Sequence, residues 1–92
     1  MKIEKLKYSN GNYFEGPLVY KPEVFLDNRG YFFVSWNELD FNKAFNKPIH
    51  FVQDMFSSST HGVIRGMHYQ KNRPQSKLVQ VINGKIFDVI VD

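Results

Sequence analysis

Two apolar runs meet at an Asn-Gly step near the carboxyl end, and this is the strongest constraint on what the chain can fold into. Lys77 to Ile82 reads KLVQVI and Lys85 to Val91 reads KIFDVIV, with only Asn83-Gly84 between them. Asn and Gly both tolerate the positive φ that a two-residue type I′ turn demands, so the pattern predicts a β-hairpin. Tyr31 to Trp36 (YFFVSW) is aromatic and β-branched, and it follows the turn residues Asp27-Asn28-Arg29-Gly30. It reads as a further strand, as does Val63 to Gln70 (VIRGMHYQ). Shorter strands are expected at Leu18 to Tyr20 and His50 to Gln53. One helix is expected from Glu38 to Asn46. Asn37 would cap it, Phe41 and Phe45 would share a face, and Pro48 would stop it. Many short strands between turn signals predict a mainly β sandwich or barrel with one short helix.

Ninety-two residues make a single domain at most, and we treat 1–92 as one. The chain is 42% hydrophobic and 23% charged, which excludes a disordered or fibrous class. It has no cysteine, so disulfides and thiolate zinc sites are excluded. Net charge is +3 and the sequence pI about 9.2, a balance compatible with an anionic ligand. No apolar run approaches the roughly 20 residues that span a bilayer. The amino end, Met1 to Tyr8, mixes Lys with apolar residues. It does not read as a signal peptide, so the expected compartment is the cytoplasm and no membrane partner is expected. The strand from Ile86 to Val91 is too apolar to stand at an open edge, yet only Asp92 follows it. The expectation is therefore a truncated barrel; the alternative is a closing strand covered by the amino-terminal segment.

His68 is the candidate base, because imidazole exchanges a proton near neutral pH. It sits in Arg65-Gly66-Met67-His68-Tyr69-Gln70, which is richer in polar groups than a plain core strand. Period-two geometry puts Gly66, His68 and Gln70 on one face and Arg65, Met67 and Tyr69 on the other. Arg65 and His68 can share a pocket only if the chain bends between them, and Gly66 is the place for it. The plainer reading is a structural histidine beside a surface arginine. Lys71, Arg73 and Lys77 form a basic cluster that is either a solvated loop or a phosphate clamp. The histidines His50, His61 and His68 lack metal-ligand spacing, so no metal is expected. Arg29 to Trp36 nearly fits the aromatic RNA-stacking strand pattern, with Phe32 where that pattern has Gly or Ala. RNA binding is a minor alternative, and these aromatics read first as core residues.

Several blocks in this order resemble the amino-terminal half of the dTDP-4-dehydrorhamnose 3,5-epimerase family. They are Pro22-Glu-Val-Phe25 with Asp27-Asn-Arg-Gly30, then Phe51-Val-Gln-Asp54, then Gly62 to Gln70. The last is Lys77-Leu-Val79 through Gly84-Lys-Ile-Phe-Asp-Val89. The resemblance implies a cupin-like barrel of the double-stranded β-helix or jelly-roll type, here incomplete, working as a homodimer without cofactor. It implies a dTDP-linked 4-keto-6-deoxyhexose as substrate, with inversion at C3 and C5. On the same footing, His68 is the base acting α to the C4 ketone. Arg65 and Lys77 lie on the sugar, the enolate or the phosphates, Arg29 holds the nucleotide, and Gln53 and Asp54 line the substrate pocket. A ketone acidifies its neighbouring C–H, and cationic donors stabilise the enolate that forms. The resemblance also places the tyrosine acid and the aspartate that orients the histidine in a second half. Val34 stands where the family has a glutamate, and Met55 where it has an asparagine. Each change removes a polar partner, a loss of about 1–3 kcal/mol when the other group is left unpaired. Alternatives are thus a related 3- or 5-epimerase or keto-isomerase, or a non-catalytic cupin-like module that only holds a nucleotide sugar.

Overall fold

The computed structural model describes residues 1–92 and divides them into two compact units, Met1–Phe56 and Ser57–Asp92. All regular structure lies in the first. It opens with an antiparallel hairpin of β1 (Lys2–Lys7) and β2 (Tyr13–Lys21), with Ile3 opposite Tyr20 and Lys5 opposite Leu18. The turn between them is closed by local bonds. Tyr8 N–H donates to Asn12 C=O at 2.8 Å, and Gly11 N–H donates to Tyr8 C=O at 2.9 Å. Asn12 N–H donates to Asn10 Oδ1 at 3.0 Å, and Gly11 takes the positive φ of 88° that the turn needs. The register slips between Lys5 and Lys7, opposite the Gly16-Pro17 step of β2. Proline has no N–H to give the ladder, so a bulge is the physical answer there. Cross-strand pairs Lys5–Glu15 at 2.8 Å and Lys21–Glu4 at 2.9 Å lie in solvent, where each contributes about 0–1 kcal/mol.

A second hairpin follows, β3 (Phe25–Asp27) against β4 (Gly30–Phe32), joined by Asn28-Arg29. The turn expected at Asp27 to Gly30 is therefore present. The strand expected over Tyr31 to Trp36 is shorter than that. Its partner strand begins only at Phe25, opposite Phe32, so the ladder has nothing left to pair with. Beyond it the chain turns to bring Trp36 onto the helix.

Helix α1 (Glu38–Phe45) forms as expected. The Asn37 side chain accepts from Asp40 N–H at 3.0 Å, and Asn46 ends the helix in the left-handed region at φ 51°. Phe41 and Phe45 stack one turn apart with ring centroids 4.2 Å apart. Around Phe41 gather Trp36 at 4.6 Å, Tyr20 of β2 at 5.6 Å and Phe51 at 6.0 Å. Phe41 and Phe14 are the two buried residues of the chain. This aromatic cluster is the core of the first unit, each pair adding about 0.5–1.5 kcal/mol beyond its buried area.

His50 to Gln53 is not a strand. The helix holds the start of the segment instead: the preceding Ile49 N–H donates to Asn42 Oδ1 at 3.0 Å, and the His50 side-chain Nδ1 lies 2.6 Å from Glu38 Oε1. Phe51 then reaches Trp36 edge-on at 5.0 Å.

The second unit carries no helix and no strand, which corrects the three strands expected there. Val63 to Gln70 has no ladder. Lys77 to Ile82 and Lys85 to Val91 do not pair, although the chain bends at Ile82 to Gly84 with Gly84 at φ +88°. A lone two-stranded hairpin is marginal in water, and this unit has no third strand or helix of its own to cover one. Every residue from Val52 to Asp92 is exposed. Regular structure is thus mainly strand with one short helix, in two separate ribbons, and no barrel is closed. No helix is long and apolar enough to cross a membrane.

Candidate functional site

The candidate residues fall into both units. Arg29, Gln53 and Asp54 belong to the first; Arg65, His68 and Lys77 belong to the second.

Arg29 is the best-defined of them. It occupies the two-residue turn between β3 and β4, and Asp27 grips it three ways. Asp27 Oδ1 accepts from the Arg29 backbone N–H at 2.8 Å, and Oδ2 accepts from Nε at 3.1 Å and from Nη2. The guanidinium of Arg29, with its backbone N–H second, holds the Asp27 carboxyl below the usual range. Asp27, Arg29, Gly30, Tyr31 and Phe32 line an open hollow of about 200 Å³. Tyr31 is also stacked nearly parallel to Phe33, with centroids 6.1 Å apart. An oriented cation beside exposed aromatic faces suits a planar base that carries phosphate. A roomier groove on the first hairpin is lined by Ile3, Glu4, Lys5, Lys7 and Tyr13 and contains none of the candidate residues.

Gln53 and Asp54 follow Phe51 directly and are exposed. The aromatic cluster anchors their amino-terminal side through Phe51. No hydrogen bond joins either to another candidate residue.

In the second unit Arg65 turns back onto the serine loop. Its Nε donates to Ser59 Oγ at 3.0 Å and its Nη2 to Ser58 C=O at 3.3 Å. No strand runs through Gly66, so the bulge expected there has no ladder to interrupt; Gly66 does sit at φ +122°, a conformation that side chains rarely adopt. A Cβ there would lie 3.8 Å from His68 Nδ1. His68 is exposed, and no carboxylate orients it; the one histidine–carboxylate pair in the chain is His50 with Glu38. Lys77 is exposed, as are Lys71 and Arg73, and none of the three is in an ion pair. No three His, Asp or Glu side chains converge as metal ligands.

Sequence reasoning missed four partners. Asp27 was legible, since an Asp two residues before a turn residue commonly bonds that residue's backbone. Ser58 and Ser59, and the pairing of Glu38 with His50, had no signal in the spacing.

A family model described as dTDP-4-dehydrorhamnose 3,5-epimerase matches residues 12–92. The chain belongs to the dTDP-4-dehydrorhamnose 3,5-epimerase family. It is 49% identical over 78 residues to the dTDP-4-dehydrorhamnose 3,5-epimerase of Methanothermobacter thermautotrophicus, covering 85% of this chain and 42% of that one. It is 48% identical over 75 residues to the Pseudomonas aeruginosa enzyme of the same name, covering 82% and 41%. A Streptomyces niveus protein named dTDP-4-dehydrorhamnose 3-epimerase is 39% identical over 80 residues, covering 85% and 38%. The chain thus spans about two fifths of the length of these curated relatives. No solved structure matches it. The family match covers every candidate residue from Arg29 to Lys77.

Proposed function

We propose that this chain is the base-bearing part of a sugar-nucleotide epimerase acting on a dTDP-linked 4-keto-6-deoxyhexose. The observation that carries the reading is the family match over residues 12–92, which includes the Arg65-Gly66-Met67-His68 block. In this reading His68 removes the proton on the carbon next to the C4 ketone. The electron pair moves onto the carbonyl oxygen, and Arg65 and Lys77 stabilise the enolate there. To reach the sugar, Arg65 leaves Ser58 and Ser59, exchanging exposed bonds of about 1 kcal/mol each for charge-assisted ones. Arg29, already oriented by Asp27, takes the nucleotide, with Tyr31 and Phe32 beside the base. Gln53 and Asp54 line the sugar pocket. Return of the proton from the opposite face inverts the centre.

The same reading makes residues 1–92 the amino-terminal half of a cupin-like barrel, working in the cytoplasm as a homodimer. A base histidine is most effective when a carboxylate holds its tautomer. His68 has none here. This favours low activity for the chain alone.

The test is deuterium incorporation from D2O into a dTDP-4-keto-6-deoxyhexose, followed by NMR. Exchange at C3 or C5 that vanishes in His68→Asn supports His68 as the base. Unchanged exchange in that variant removes it from the role. The orphaned His68, with Val34 and Met55 in place of polar residues, favours one second reading: a module that binds the nucleotide sugar without turning it over. Saturable binding of dTDP without any exchange would select that reading.

A further inference from the structure

The chain contains two Asn-Gly steps, and the structure treats them differently. At Asn10-Gly11 the Gly11 N–H is donated to Tyr8 C=O at 2.9 Å, and Asn10 Oδ1 accepts from Asn12 N–H at 3.0 Å. Both groups sit inside the turn that joins β1 to β2. At Asn83-Gly84 the residues are exposed, and neither the Gly84 N–H nor the Asn83 amide has a hydrogen-bond partner. Nor does a ladder hold the flanking runs in register.

We propose that Asn83-Gly84 is a self-modification site that converts its amide to an acid through a succinimide, while Asn10-Gly11 is protected. The Gly84 backbone nitrogen gives its proton to solvent hydroxide and attacks Asn83 Cγ. The new N–Cγ bond closes a five-membered ring, the Cγ–Nδ2 bond breaks, and ammonia leaves with a proton from water. Water then adds to either ring carbonyl and opens it, giving aspartate or isoaspartate. No oxidant or enzyme takes part. The step needs a glycine on the carboxyl side, because a Cβ there would crowd the attack. It also needs a free amide N–H and a side chain free to swing over it. Gly84 and Asn83 supply all three. Gly11 and Asn10 have the glycine, but their bonds must break before the ring can close.

The product places a new negative charge beside Lys85 and lowers the formal net charge by one from +3. Isoaspartate also lengthens the backbone by one methylene at the residue a type I′ turn would use, which works against pairing of Lys77 to Ile82 with Lys85 to Val91. The proposal is independent of the epimerase reading.

The experiment is incubation of the folded 92-residue protein at mildly alkaline pH, with the two Asn-Gly peptides followed by mass spectrometry. Asn83 is expected to convert at least roughly tenfold faster than Asn10, since two hydrogen bonds must open at the latter. In H2(18)O the Asn83 peptide should gain one heavy oxygen, and Asn83→Gln should abolish the signal. In guanidinium chloride the two rates should converge. Equal rates in native buffer would overturn the proposal. So would a gap that persists in denaturant, because local sequence and not the fold would then set the rates.

Discussion

A single phenylalanine carries much of what holds the first unit together. Phe41 touches Trp36, Tyr20, Phe45 and Phe51, while Leu39, two residues earlier on the same helix, lies in solvent. Phe41→Ala should therefore destabilise the unit by about 3–5 kcal/mol, as large-to-small changes do in packed cores. Leu39→Ala should stay within about 0.5 kcal/mol. Urea melts of the two variants check the contrast. Asp27 gives a second expectation at this scale. Its folded pKa lies below the unfolded value because of Arg29, so its contribution is present above the unfolded pKa. It is lost as pH falls through the folded pKa. An NMR titration should show the Arg29 amide, which donates to Asp27, shifting with the acid-side midpoint of Asp27. In Asp27→Asn that midpoint should disappear and nucleotide affinity should fall, because Arg29 loses the partner that orients it.

Among the elements, the contrast between helix and hairpins shows which signals in a sequence are self-sufficient. Helix α1 was legible nearly to the residue, because its determinants are local: Asn37 caps its own first turn, and Phe41 and Phe45 are one turn apart. Asn37→Ala should accordingly cost about 1 kcal/mol, read as lost helicity by circular dichroism and a lower melting point. Strands depend on distant partners, and there the reading was uneven. The Asn83-Gly84 hairpin was the firmest expectation and does not form. The Asn10-Gly11 hairpin was overlooked and does form. The same dipeptide closes one turn and not the other. Around Asn10 the turn bonds to itself, Lys5 and Lys21 find Glu15 and Glu4, and Tyr20 lies against Phe41. Around Asn83 the flanking runs have no strand or helix of their own unit to pack on. In the candidate site, the turn around Arg29 was legible from turn chemistry. The serine partners of Arg65 were not, since they depend on a loop closure that no periodicity reports.

Taken whole, the molecule buries little of what it could. Its residues are 42% hydrophobic, yet only Phe14 and Phe41 are buried, and Ile64 and Phe87 are almost fully open to solvent. Hydrogen exchange should divide the chain accordingly. Amides in β1, β2 and α1 should be slowed, and those from Ser57 to Asp92 should exchange near the rate of an unstructured peptide. The exposed apolar side chains of the second unit should also bind the dye ANS. Protection across Lys77 to Val91 would show that the hairpin is paired after all. The placement of Trp36 has a practical consequence for such experiments. It is the only tryptophan in the chain, and it stands against Phe41 and Phe51 at the centre of the first unit. Its emission is therefore an optical gauge of that unit alone. Heating followed by fluorescence should trace one cooperative red shift, the dispersal of a five-ring aromatic cluster, whatever the other thirty-six residues are doing.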